Sequence, residues 1–202
     1  MNSRKMFTRC IVLVMLCIGI TIGLQAQDKK MEMPESGFRA DLTWQIDQVQ
    51  KQITDLEGAI PADKFEWRPG EGVRSIGEVY LHIAFGNYII LKLAGYEPPA
   101  EANFVMDLKK WDSQATDKVK IASIMKKSFD HLHSVMGKIT DADLEKKIDF
   151  FGSQVTLRNA LMSSLSHLHE HLGQSIAYAR MNNIVPPWTM AEEKAKEKKD
   201  GK

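Results

Sequence analysis

Apolar side chains recur every three or four residues in four stretches of the chain, a spacing that places them on one face of an α-helix. Proline and glycine residues interrupt the pattern between the stretches. The predicted helices cover residues 37–60, 75–94, 117–139 and 156–183. Four helices of roughly 20 residues in one domain pack most economically against one another as a bundle. The sequence therefore predicts an all-α fold, a four-helix bundle.

The connections between the predicted helices differ in length. Residues 96–115 lack a clean periodicity and predict a long connection between the second and third helices. Residues 140–154 predict a shorter irregular segment, with an extended piece at 148–151. At the start of the second helix, Ser75 is followed three residues later by Glu78, which is the pattern of a capping box.

Residues 1–26 have the pattern of a secretory signal peptide. Basic residues at positions 4, 5 and 9 precede an uncharged, mostly apolar run from Cys10 to Leu24, and Ala26 offers a small residue before a cut. The run is shorter than the ~20 apolar residues of a membrane-spanning helix. We therefore expect export to the periplasm or the cell exterior, without stable membrane insertion after cleavage. An uncleaved N-terminal anchor is the alternative, and Leu24 at a position that is usually small leaves the exact cut open.

The rest of the chain divides into three parts. Residues 27–36 predict a disordered polar segment, residues 37–188 the helical bundle, and residues 189–202 a charged, flexible tail. Both cysteines, Cys10 and Cys17, lie inside the predicted signal peptide. The mature chain would then contain no disulfide, no thiolate metal ligand and no cysteine nucleophile.

The distribution of charged residues along the chain argues against a nucleic-acid partner. The 202 residues include 27 Lys and Arg and 26 Asp and Glu, and residues 1–26 hold three of the basic residues and none of the acidic ones. The remainder has 24 basic against 26 acidic residues and no long basic run. Nucleic-acid affinity depends largely on clustered Lys and Arg, so we expect no nucleic-acid partner.

All six histidines lie on predicted helices, and their spacing separates them. His167 and His171 are four residues apart, so they share one face of the fourth helix, whereas His169 points away. His82 lies on the apolar face of the second helix, where Gly86 leaves room one turn further on. The two histidines of the third helix, at positions 131 and 133, edge its apolar stripe and are predicted to be exposed.

Three inward histidines on two facing helices predict a metal site. A buried imidazole without a partner costs on the order of 1–3 kcal/mol, and a divalent ion held by His82, His167 and His171 would supply one. Three neutral imidazoles with open positions suit a catalytic or exchangeable site better than a closed structural one. We expect one divalent ion, zinc or nickel first, with iron or manganese as alternatives. Ordinary hydrogen-bonded core or surface histidines are the competing interpretation.

Other polar residues near this face are candidates for the chemistry. Glu78 precedes His82 by one helical turn and is a candidate general base or a partner that orients a ligand; its capping-box role is the alternative. Gln174 and Tyr178 lie on the face of His167 and are candidate substrate-binding residues, with simple packing as the alternative.

The order and spacing of several short motifs resemble those of the DinB-like superfamily, including its YfiT-like members. The motifs cover most of residues 38–188: Trp67-Arg68-Pro69, Ser75-Ile76-Gly77-Glu78 through His82, His167 through Gln174, Tyr178-Ala179-Arg180 and Pro186-Pro187. The resemblance implies a four-helix bundle that binds a divalent metal through one histidine of the second helix and two of the fourth. In this chain these are His82, His167 and His171.

Taken together, these features predict an exported metal-dependent hydrolase that acts on an unidentified small molecule. A non-catalytic metal- or ligand-binding bundle is the alternative from another functional class. The resemblance also implies a thiol-dependent S-transferase, although an exported protein would meet little of a low-molecular-weight thiol. A homodimer is a further implication of the resemblance.

Overall fold

The architecture was determined from a computed structural model, which describes residues 36–114 and 117–200. The helices and strands within these residues follow in the order α1 (Phe38–Ala59), α2 (Ile76–Leu93), α3 (Leu108–Asp112), α4 (Lys118–Met136), β1 (Lys147–Phe150), β2 (Ser153–Thr156), α5 (Leu157–Met181) and α6 (Pro187–Asp200). Short 3-10 turns cover Ala62–Lys64, Ala100–Ala102 and Asp143–Glu145. The predicted signal peptide and all but the last residue of the segment 27–36 lie outside the described residues.

The four long helices pack as the predicted four-helix bundle, which confirms the all-α fold class. Helix α2 packs against both α4 and α5, and α1 packs against α5 and α4. Most residues of α2 are buried, because this helix contacts neighbours on more than one side. The predicted capping box is also confirmed: the Ser75 side chain accepts a hydrogen bond from Glu78 N, and the Glu78 side chain accepts one from Ser75 N.

The long connection between α2 and α4 contains a helix that the sequence did not predict. Helix α3 has five residues and begins after Asp107, whose side chain accepts a hydrogen bond from Lys110 N. Its Trp111 is fully buried, and the indole Nε1 donates to the carbonyl oxygen of Leu81 at 2.7 Å. A helix of little more than one turn is too short to show a periodic apolar pattern, so sequence periodicity could not find it.

The segment before α5 is more ordered than the sequence indicated. Strands β1 and β2 form an antiparallel hairpin in which Phe150 pairs with Ser153. The two turn residues, Phe151 and Gly152, have φ angles of 53° and 84°, as a two-residue type I′ turn requires. The predicted extended piece at 148–151 thus corresponds to β1 and the first turn residue, and β2 was missed.

The charged end of the chain is helical as far as the structure describes it. Helix α6 begins at Pro187, and every side chain from Met190 to Lys199 is exposed. Alanine, glutamate and lysine are strong helix formers, which explains a helix in a segment with little apolar content. The predicted flexibility of residues 189–202 stays a prediction. Within residues 36–114 and 117–200, no helix is both long enough and apolar enough to cross a bilayer.

Candidate metal centre

The structure brings together the three histidines that the sequence singled out. His82 lies on α2, and His167 and His171 lie one turn apart on α5. The ring centroids of His82 and His167 are 5.1 Å apart, those of His82 and His171 4.6 Å, and those of His167 and His171 4.5 Å. One nitrogen from each ring lies within 4.8 Å of the other two, which is close enough for three nitrogens to hold one metal ion.

A glycine on α2 makes room for the cluster. A Cβ atom at Gly86 would lie 2.2 Å from His167 Cε1, so any larger residue would collide with the imidazole. The sequence placed this free space above His82, one turn earlier on the same helix. In the structure this space is occupied by the imidazole of His167 instead, because α5 packs against α2 at Gly86.

A chain of polar side chains along α5 orients His171. Its Nδ1 lies 2.9 Å from Gln174 Oε1, and Gln174 Nε2 donates to the Tyr178 hydroxyl at 3.0 Å. An amide oxygen only accepts, so Nδ1 carries the proton in this arrangement and Nε2 keeps its lone pair for a metal. Tyr178 in turn packs edge-on against Trp67, with ring centroids 5.5 Å apart. The substrate-binding role predicted for Gln174 and Tyr178 stays a prediction.

His82 has an apolar environment and an unsatisfied nitrogen. Its ring is nearly parallel to that of Phe85, and its Nδ1 is buried without a hydrogen-bond partner among the described residues. An unpaired buried polar atom carries a desolvation cost of about 1–3 kcal/mol. The chemistry of this donor set, with three imidazoles and one nitrogen lacking a partner, fits a bound divalent cation.

His82 and His167 are held in the uncharged form that metals require. Burial lowers the pKa of His82 to about 3, with further lowering from the positive charge of Arg74 and from His171 and His167. Burial also lowers the pKa of His167 to about 4, with contributions from His171 and Arg74. At neutral pH both rings are therefore neutral, and a metal ion would displace no proton from their acceptor nitrogens.

Glu78 has partners that the sequence only partly indicated. Its Oε2 accepts a hydrogen bond from Ser75 N at 2.6 Å and lies 3.2 Å from Arg68 Nη1. The capping role, which the sequence left open, is therefore present in the structure. Its role as a general base or as a partner of a ligand stays a prediction.

A cavity of about 520 Å³ lies beside the histidines, and two of its residues were missed by the sequence analysis. Arg74 Nε lies 3.3 Å from Asp112 Oδ2, and burial raises the pKa of the Asp112 carboxyl. Asp112 lies on α3, inside the connection that showed no pattern, so only the fold brings it here. Seven residues line the cavity: Arg68, Gly72, Val73, Arg74, Glu78, Asp112 and Gln174.

The remaining histidines lie away from the cluster. His169 is exposed, as its position on the helical wheel predicted. His131 and His133 are half-buried, so the prediction that they are exposed is wrong. His133 Nε2 lies 2.6 Å from Gln50 Oε1, and His131 packs beside the ring of Tyr88. His133 thus faces α1 and His131 faces α2, the two helices that pack against α4.

Comparison with known proteins agrees with this architecture. A family model of the DinB superfamily matches residues 45–175. The crystal structure of a DinB-like protein from Bacillus cereus ATCC 10987 is similar, with a TM-score of 0.62 and 21% sequence identity over 72% of this chain and 93% of that one. The crystal structure of a DinB-like protein from Bacillus subtilis, YjoA, has a TM-score of 0.49 and 21% identity, with the same coverage.

A comparison with curated proteins gives no significant match. The family model spans more than half of the chain, and its range includes His82, His167 and His171. The chain therefore belongs to the DinB superfamily.

Proposed function

We propose that this protein is an exported, metal-dependent hydrolase that binds one divalent ion through His82, His167 and His171. The observation that carries the proposal is the convergence of three imidazole nitrogens within 4.8 Å from two helices. Two further observations support it: the unpartnered Nδ1 of His82, and the hydrogen bond by which Gln174 orients His171. Zinc or nickel is the expected ion, with iron or manganese as alternatives, since imidazole binds all four.

The neighbouring cavity is the proposed place for a small-molecule substrate. A divalent ion on three imidazoles supplies Lewis acidity toward a carbonyl or phosphoryl oxygen and makes water more acidic. The cavity volume of about 520 Å³ falls in the range of small-molecule sites. Gln174 connects the two, because it lines the cavity and contacts His171.

Two carboxylates line the cavity and could take up a proton. Glu78 uses Oε2 for the cap and for Arg68, so Oε1 is the oxygen left to accept one. Asp112 uses Oδ2 for Arg74, and its Oδ1 is buried without a partner among the described residues. We assign the general base to Glu78, which lies one turn before His82 on the same helix.

The engagement of Glu78 also favours a second candidate function. A carboxylate that caps α2 and pairs with Arg68 has a sufficient structural role without any catalysis. In that case the metal would stabilise the contact between α2 and α5 in a non-catalytic binding bundle. A thiol-dependent S-transferase is the remaining candidate, and no contact among the described residues favours it.

The test begins with elemental analysis of the purified mature protein. We expect about one ion per chain in the wild type and none in a folded variant that combines His82→Ala, His167→Ala and His171→Ala. His169→Ala is the matched control, because this histidine lies on α5 between the two ligands but is exposed. Absence of a bound ion after incubation with zinc, nickel and manganese contradicts the proposal.

Two further measurements separate the parts of the proposal. Metal-dependent turnover of an ester, amide or phosphate substrate supports the hydrolase, whereas bound metal with no turnover across all three classes supports the binding bundle.

The N-terminal mass of the protein recovered from the periplasm or medium tests export. We expect the mature chain to begin near Gln27, and an intact Met1 in the recovered protein contradicts cleavage.

A further inference from the structure

We propose that Arg74 binds a carboxylate group of the substrate in the cavity beside the three histidines, so that the substrate is a small carboxylic acid derivative. This inference rests on the proposed function and adds a substrate class to it. The cavity, the position of the guanidinium and the charges around it carry the argument.

Arg74 is held in place on one side and free on the other. Its Nε lies 3.3 Å from Asp112 Oδ2, and its side chain is 32% exposed. Its Nη1 and Nη2 make no hydrogen bond among the described residues. A guanidinium with two free terminal nitrogens can bind a carboxylate through paired hydrogen bonds, and fixing Nε in advance reduces the freedom lost on binding.

The other arginine of the cavity is already engaged. Arg68 Nη1 donates to the carbonyl oxygen of Val73 at 2.9 Å and lies 3.2 Å from Glu78 Oε2. A ligand anion would have to compete with both of these partners at Arg68. Arg74 is therefore the donor that the cavity leaves for a ligand.

Gln174 borders both the cavity and the histidine cluster. Gln174 lines the cavity and lies 2.9 Å from His171 Nδ1, and Glu78 precedes His82 by one helical turn. An anchored carboxylate would thus hold the rest of the substrate next to the metal site.

The charges around the cavity favour an anion. Glu78 and Asp112 balance Arg68 and Arg74, so the lining is neutral apart from the metal. A divalent ion on three neutral imidazoles makes the region positive and attracts an anion. The two free terminal nitrogens of Arg74 match the two oxygens of a carboxylate, whereas a phosphate would leave further charged oxygens beside Glu78 and Asp112. A carboxylate is therefore the better match.

The experiment measures the binding of benzoate and inorganic phosphate by NMR, following the Nε–H signal of Arg74 in zinc-loaded and metal-free protein. We expect benzoate to shift this signal in the wild type. Arg74→Gln should weaken benzoate binding about ten- to hundredfold, the scale of a charge-assisted hydrogen-bond pair. Arg158→Gln is the control, because this arginine pairs with Glu145, outside the cavity lining, and should leave binding unchanged.

The outcomes separate this inference from the metal proposal. An unchanged Arg74 signal with benzoate, or equal affinity of the wild type and Arg74→Gln, overturns the inference even when zinc is bound. Tighter binding of phosphate than of benzoate overturns the choice of carboxylate. An Arg74-dependent benzoate site in a protein that binds no metal would support this inference while contradicting the metal site. If Arg74→Gln fails to fold, the wild-type Nε–H shift and the Arg74→Lys variant decide.

Discussion

The imidazole of His167 on α5 fills the space that a side chain at Gly86 on α2 would need. A Cβ atom at position 86 would lie 2.5 Å from His167 Nδ1 and 3.0 Å from Nε2. The imidazole therefore lies directly against position 86 and could not keep its place beside a side chain there. The position of one candidate ligand is set by the absence of a side chain on the facing helix.

Gly86→Ala should therefore displace His167 and weaken metal binding. We expect the zinc affinity to fall by about tenfold or more, the scale seen when the groups that orient metal ligands are lost. Competition with a chromophoric chelator measures it. Gly173→Ala is the control: this glycine also lies in a helix, but a Cβ there meets no atom within 4 Å. Equal zinc affinity of Gly86→Ala and Gly173→Ala would rule out this role of Gly86.

Gln174→Leu should weaken metal binding without removing any ligand. The leucine keeps a similar size but loses the oxygen that accepts from His171 Nδ1, so the imidazole loses its fixed orientation. We expect a loss of about 10–100-fold in zinc affinity. Tyr178→Phe removes only the hydroxyl that holds Gln174, and its effect should be smaller. A larger effect of Tyr178→Phe than of Gln174→Leu would contradict this order of contacts.

Glu78→Gln and Ser75→Ala separate the capping role of Glu78 from a catalytic one. A glutamine can still accept the hydrogen bond from Ser75 N, so the stability should change little while the negative charge is lost. Ser75→Ala removes the other half of the capping box and should cost about 1 kcal/mol of stability. If Glu78 is the base, metal-dependent turnover falls in Glu78→Gln and persists in Ser75→Ala, with bound metal in both.

The opposite pattern is also informative. Turnover retained in Glu78→Gln at full metal content would remove Glu78 from the chemistry and leave Asp112 as the remaining carboxylate of the cavity.

Glu57→Gln should stabilise the protein at neutral pH. Glu57 on α1 is 9% exposed, its Oε1 has no hydrogen-bond partner among the described residues, and burial raises its pKa against the opposing charge of Lys118. Because the pKa of Glu57 is raised in the folded state, the protonated carboxyl favours folding. This stabilisation is complete below the ordinary glutamate pKa near 4.5 and is lost as the pH rises. We expect Tm to increase by about 2–4 °C at pH 7, as for ~1 kcal/mol in a domain of this size.

The difference in Tm between Glu57→Gln and the wild type should shrink as the pH falls toward 4.5. Thermal unfolding of both proteins from pH 4.5 to 8 measures it, and Glu192→Gln on the exposed face of α6 serves as the control. A difference that grows as the pH falls would show that the carboxylate is stabilised in the folded protein.

Periodicity and local chemistry predict the parts of this protein that depend on neighbours in sequence. The apolar repeat finds the four long helices because each spans several turns, and the capping box at Ser75 and Glu78 needs only four residues. The pairing of His167 with His171 also follows from one helix alone. Their meeting with His82 depends on which faces of α2 and α5 pack together. The helical positions of the three residues made this contact a hypothesis, and the resemblance to the DinB-like superfamily implied the same three ligands.

Contacts that depend on the path of an irregular segment could not be predicted in this way. Asp112 reaches Arg74 across 38 positions because the connection folds back over α2. The hairpin depends on a turn with Phe151 at positive φ, an uncommon choice for a bulky residue that no local rule favours. The predicted exposure of His131 and His133 was wrong because a helical wheel gives the direction of a side chain but not how far a neighbouring helix extends over it.

Trp111 and Asp112 are adjacent in the chain, and this adjacency determines when the cavity side chains lose their conformational entropy. The indole of Trp111 is fixed in the core by its hydrogen bond to Leu81, the residue before His82. Asp112, and through it the guanidinium of Arg74, therefore takes its position when the chain folds, and the conformational entropy is lost then instead of at each binding event. Side chains that are preorganised in this way favour ligands that match their existing positions, because they do not rearrange around a ligand of another shape.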